Sequence, residues 1–154
     1  MRLFPLESGV VVDGLVLVYE QAETSEKISL VEPDIRGAWL ETIYAFAELS
    51  FIEPIISINM NRHLIYLYRK QAMIRDKSQN VLAYIIFFKE KDLQTENLED
   101  FWLADFEKII LKKLEEMTTQ FENEFEANAQ YNFCNSYNSF KETISAILNY
   151  NVCD

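Results

Sequence analysis

Glycine is scarce in this chain, with three among 154 residues, at Gly9, Gly14 and Gly37. A phosphate-cradling loop needs clustered glycines so that backbone can approach the phosphate, and these three form neither G-x-G-x-x-G nor G-x-x-x-x-G-K-[ST]. Both nucleotide-binding fingerprints are therefore excluded. Histidine is scarcer still: His63 stands alone, and Cys134 and Cys153 lie at neither C-x-x-C nor C-x-x-H spacing. No metal site is expected from such a set, and no cofactor. Basic residues are outnumbered, 14 to 25, and the net charge of −11 repels a phosphate backbone, so nucleic acid is not an expected partner. Long apolar runs are missing as well. The longest spans residues 81–88, far short of the ~18 needed to cross a bilayer, and the start of the chain has too short an apolar stretch before Pro5 and Glu7 for a secretion signal. With no lipidation motif and two cysteines read as reduced thiols, the expectation is a cytoplasmic protein, peripheral at membranes only through partners.

What is present is the composition of a folded domain. Hydrophobic residues make up 49% and charged residues 25%, which excludes disorder as the general description, and aromatics are plentiful, with 11 Phe, 8 Tyr and 2 Trp. The length fits a single domain over residues 1–154, with a core of about 9–149.

The pattern along the chain predicts strands at residues 10–12 and 15–19 around Asp13-Gly14, a dipeptide suited to the two positive φ angles of a tight hairpin turn. Residues 20–32 read as a polar connection. Pro33 and Asp34 mark a helix start, and Trp39, Ile43, Phe46, Ala47 and Ser50 fall on one helical stripe, giving a helix over 34–50 closed by Pro54. Three strands follow at 55–60, 63–68 and 81–88, with an exposed polar segment between the last two. Residues 81–88 show no polar alternation, which predicts a strand covered on both faces in the middle of a sheet. Phe106, Ile110, Leu114, Met117, Phe121 and Phe125, spaced 4, 4, 3, 4 and 4, predict a long amphipathic helix. Phe140, Ile144, Ile147 and Leu148 predict a short last one. The expected fold is α+β, a three-layer α/β/α sandwich with a five-stranded antiparallel sheet in the order β-β-α-β-β-β-α-α, one helix on one face and two on the other.

Residues that carry chemistry elsewhere find bland readings here. His63 reads as a polar residue opening a strand after a turn, since no orienting carboxylate or oxyanion hole is legible around it. Residues 90–126 hold twelve acids against four bases, but adjacent carboxylates such as Glu115 and Glu116 point about 100° apart on a helix and read as a solvated face, not a hydrolytic pair. Between residues 62 and 77, Arg62, Arg69, Lys70, Arg75 and Lys77 stand against the single acid Asp76 and form a possible basic docking patch.

The element order, with KISLVEPDIRGAWLETIYAFAELS, ISINMNRHLIYLYRK, VLAYIIFFKEK and FKETISAIL, resembles the profilin-like longin and roadblock domains, over residues 9–149. The resemblance implies a module with no active site that dimerises and docks small GTPases or vesicle-trafficking machinery. The expected partners are a second copy or related longin or roadblock subunit, and a Ras-like small GTPase. The segment at 70–80 and the acidic helix depart from any subfamily pattern. In this arrangement the strand after the first helix lies at a sheet edge, so Ile56, Ser57, Ile58, Asn59 and Met60 are expected in a dimer interface, with Leu40 and Tyr44 exposed beside them on the first helix. The competing readings are an enzyme, for which the sequence supplies no nucleophile–base pair, and a small-molecule-sensing domain with an aromatic-lined cavity.

Overall fold

Asp13 and Gly14 both take positive φ, 47° and 83°, and close a hairpin between β1 (Arg2–Val12) and β2 (Leu15–Gln21). That conformation matches the right-handed twist of paired strands, which is why the Asp-Gly dipeptide works there. The turn is fastened to the neighbouring strand, since Asp13 N donates to Asn80 O at 3.1 Å and Asn80 N donates to Asp13 Oδ1 at 3.0 Å. In this computed structural model, residues 2–21, 33–74, 76–90, 99–127 and 140–148 are described. The remaining elements are α1 (Pro33–Phe51), β3 (Ser57–Asn59), β4 (His63–Ile74), β5 (Lys77–Glu90), α2 (Glu99–Ala127) and α3 (Phe140–Leu148).

The five strands form one antiparallel sheet in the spatial order β2-β1-β5-β4-β3. β5 lies in the middle, as its unbroken apolar run predicts. Val81, Ala83, Ile85 and Phe87 face the layer of α2 and α3, whereas Leu82, Tyr84 and Ile86 face α1. Each set packs against helices because successive strand side chains point to opposite faces. On α2, Phe106, Ile110, Leu114, Met117 and Phe121 are all buried, as their spacing predicts, and Phe140 and Ile144 of α3 complete that layer. The side chains of Phe125 and Leu148 lie outside the described residues.

Three expectations need correcting. β1 begins at Arg2, not at residue 10, and runs through Pro5; at that end it extends beyond β2, whose pairing starts at Glu7 with Gln21, so the missing proline N–H is tolerated. The polar segment after residue 68 is not a loop. β4 and β5 stay paired to Ile74 with Lys77, with only two residues between the strands, and Asp76 takes φ 59° there. Third, the strand expected over 55–60 is hydrogen-bonded as a ladder only at residues 57–59. Among the described residues, no helix is long and apolar enough to cross a membrane.

Candidate interaction surface

α1 carries apolar residues nearly all round, so its phase is set by its neighbours. Gly37 is the point of closest approach: a Cβ there would stand 2.0 Å from Val16 Cγ2 and 3.1 Å from Val11 Cγ2. Only a glycine lets the helix lie this close to the β1–β2 hairpin. Two ionic clusters fix the rotation. Near the helix start, Arg36 pairs with Glu7, whose side chain is fully buried and also accepts from Tyr84 Oη at 2.7 Å and Gln21 Nε2 at 2.9 Å. Farther along, Arg69 of β4 pairs with Glu41 at 2.9 Å and Glu48 at 2.6 Å and lies over the Tyr44 ring, 5.1 Å from its centroid. Burial pushes the Glu41 carboxyl above its usual pKa, with the Arg69 charge pulling the other way.

This phase overturns the expected stripe. Leu40 and Tyr44, expected at an exposed interface, are 1% and 6% exposed and pack against Ile65, Leu67, Leu82 and Tyr84. Trp39 and Phe46, expected in the core, are 42% and 64% exposed. The outward face of α1 therefore presents Ile35, Trp39, Phe46 and Leu49, and it continues into Phe51 and Ile52, where the helix ends. Phe46 and Phe51 meet edge to face with centroids 6.4 Å apart. Ile52 closes α1 in the left-handed region, φ 58°, with its N–H donating to Glu48 O at 3.2 Å. A β-branched residue is a poor choice for that position, which glycine normally takes, and this one is also 90% exposed.

The edge strand comes next in the chain. β3 is the outermost strand, as expected, and Ile56 and Met60 flank its ladder with exposed side chains, while Ser57 and Ile58 are half-buried and Asn59 is exposed. Residues 55–60 include no ionisable side chain. Charged residues, prolines and bulges are the common means of blunting an edge, and the three ladder residues of β3 have none of them. The opposite edge strand, β2, has a bulge: Val10 pairs with Val18 and Val11 with Val16, so Leu17 is the extra residue.

Among the described residues the expected basic patch does not form. Arg69 turns toward α1, as described above, and Lys70 turns to the opposite face, where it pairs with Glu122 of α2 at 2.6 Å and donates to Thr119 Oγ1 at 3.3 Å. Adjacent strand residues point to opposite faces, so these two cannot share a surface. Arg62 and Lys77 are exposed but sit at the two ends of β4, roughly 40 Å apart at the rise of an extended strand. Arg75 lies outside the described residues, as do Cys134 and Cys153.

His63 opens β4, half-buried, with its ring edge to face with Phe88 at 6.0 Å. Glu115 and Glu116 are both exposed on α2. Between α2 and α3 is an open groove of ≈ 420 Å³ lined by Glu116, Gln120, Glu142, Thr143, Ala146 and Ile147. Its lining includes no aromatic side chain; Tyr66, Phe87 and Phe106 pack on one another between sheet and α2 at 5.4 to 6.3 Å instead. Among the described residues no group of three or more His, Cys, Asp or Glu could hold a metal ion.

Sequence reasoning missed the Glu7–Arg36–Tyr84–Gln21 cluster, because a lone glutamate in a short N-terminal stretch has no local sign of burial. Compared with protein-family models and with curated proteins, the sequence matches none.

Proposed function

We propose that this chain is a non-catalytic protein-interaction module of the longin or roadblock type. It associates with a second copy or a related subunit through β3 and the outward face of α1, and offers its other surfaces to a Ras-like small GTPase or to vesicle-trafficking machinery. One observation carries the reading: the exposed apolar residues at the end of α1, Phe46, Leu49, Phe51 and Ile52, stand a few residues before an edge strand whose three ladder residues include no charge, proline or bulge. A contiguous apolar surface is unusual on a protein that works alone and marks a site that another protein covers. The sheet order and the helices on both faces are compatible with that module class.

The test is sedimentation of the wild type and of a Phe46→Ser/Leu49→Ser double variant. Both substituted side chains are exposed, so the fold is expected to be kept, as circular dichroism would report. The wild type is expected to associate at tens of micromolar and the variant to remain monomeric. Equal behaviour of the two places association elsewhere and overturns the assignment of this surface.

A further inference from the structure

Among the described residues, Glu41 Oε2, Arg69 Nε and Tyr66 Oη are buried side-chain atoms with no hydrogen-bond partner. Such atoms are few in folded proteins, and each calls for a physical explanation. Tyr66 faces α2, on the far side of the sheet from the other two. Glu41 Oε2 and Arg69 Nε flank one contact, because they belong to the same ion pair, in which Arg69 Nη2 donates to Glu41 Oε1 at 2.9 Å. Each group uses one atom of its fork in that pair and leaves the neighbouring atom idle.

Direct closure of a second leg is opposed by what else holds the two side chains. Arg69 Nη1 donates to Glu48 Oε2 at 2.6 Å, and the guanidinium lies 5.1 Å from the centroid of the Tyr44 ring. Glu41, Tyr44 and Glu48 follow one another on α1 at spacings of three and four, so they hold Arg69 from one face of the helix. Turning the guanidinium toward Glu41 Oε2 would draw it away from Glu48 and off the ring. Leu40 and Tyr44, both buried, fix the helix backbone that carries Glu41.

The chemistry of the two idle atoms selects what fits between them. Nε–H can only donate, and a carboxylate oxygen can only accept. A cation would meet the Arg69 charge and an anion would meet Glu41 and Glu48, so the ligand is neutral. It is also small, since the Glu41 and Arg69 side chains are only 12% and 13% exposed and the two atoms are closed off from bulk solvent. Water meets all of these conditions: its oxygen accepts from Nε–H while one of its own O–H groups donates to Oε2. The Tyr66 hydroxyl defines no such site, because a buried water needs at least two anchoring groups.

We infer that a buried water molecule is part of the α1–β4 contact, bridging Arg69 Nε and Glu41 Oε2. It completes the clamp that holds α1 in the phase with Phe46 and Leu49 turned outward.

The test is made on the wild-type protein by two independent measurements. A crystal structure that resolves ordered solvent is expected to place one water oxygen within about 3.2 Å of both atoms. In an isotope-labelled sample, the Arg69 Nε proton is expected to give a rotating-frame cross-peak to water with the sign of dipolar contact, opposite to that of chemical exchange. Arg69→Lys, which keeps the charge and lacks Nε, identifies the resonance by its loss. Density that joins Nε directly to Oε2, or that sets another side chain between them, overturns the proposal. A cross-peak with the sign of exchange alone does the same.

Discussion

Tyr84 donates its hydroxyl to Glu7 Oε1 at 2.7 Å from the middle of the sheet, joining β5 to a carboxylate that has no contact with solvent. Burial is the main reason that the Tyr84 hydroxyl is held well above its ordinary pKa, and the neighbouring Glu7 charge adds to it. A buried carboxylate is tolerable only while its donors are in place. Arg36→Met removes the cationic donor that pairs with Glu7 and is expected to cost about 3–5 kcal/mol, read as a lower midpoint in denaturant unfolding. Tyr84→Phe removes a neutral donor and is expected to cost less, about 1–3 kcal/mol. A smaller loss for Arg36→Met than for Tyr84→Phe would contradict this ranking.

Gly37→Ala puts a methyl group where Val16 Cγ2 already stands. The helix must lift from the hairpin, and the expected loss is about 1–3 kcal/mol. Adding Val16→Ala opens that space, so the double variant is expected to melt higher than Gly37→Ala alone. Additive losses in the two variants would mean that the contact does not limit the approach of α1.

Tyr66 is fully buried on the α2 side, and among the described residues its hydroxyl has no hydrogen-bond partner. Burial pushes its pKa up to about 12. Tyr66→Phe removes an unsatisfied polar atom and keeps the ring packed against Phe87 and Phe106. Thermal unfolding is expected to show an equal or higher midpoint, by up to about 1–3 kcal/mol in stability.

Lys70 holds the Glu122 carboxyl below its usual pKa of 4.5, with a further contribution from the Met73 N–H. The stability this adds is present above pH 4.5 and is lost as pH falls through the lower value of the folded state. Glu122→Gln is therefore expected to cost about 0.5–1 kcal/mol at neutral pH and nothing in strong acid. Glu41 has the opposite sign, because its raised pKa means that stability is lost as pH rises through the folded value. Chemical denaturation at a series of pH values checks both, with Glu41→Gln as the second variant.

The sheet and the α2 layer were readable in the sequence because each of their patterns allows only one placement. The unbroken run at 81–88 required two covered faces, and the spacing of Phe106, Ile110, Leu114, Met117 and Phe121 allowed a single buried stripe. α1 was not readable in the same sense. Apolar side chains lie on both of its faces, and the choice between them depends on contacts distant in sequence: Gly37 on Val16, Arg36 on Glu7, and Glu41 on Arg69. The edge position of β3 was readable from the element order, whereas Leu40 and Tyr44, expected to be exposed beside it, belong to the buried stripe of α1. The extension of β4 was hidden by its polar residues, although Ala72 and Ile74 alternate with Gln71 and Met73 as a half-buried strand should.

Glu122 has a consequence beyond its ion pair. By taking up the Met73 N–H at 3.1 Å, it occupies the outer side of β4 past the point where β3 ends. An incoming strand that slid along this side would have to displace a carboxylate already held by Lys70. Extension of strand pairing along β4 is therefore closed at Met73 by an ion pair from the helix layer, a block that reaches the sheet edge from a neighbouring element and not from the edge strand's own sequence.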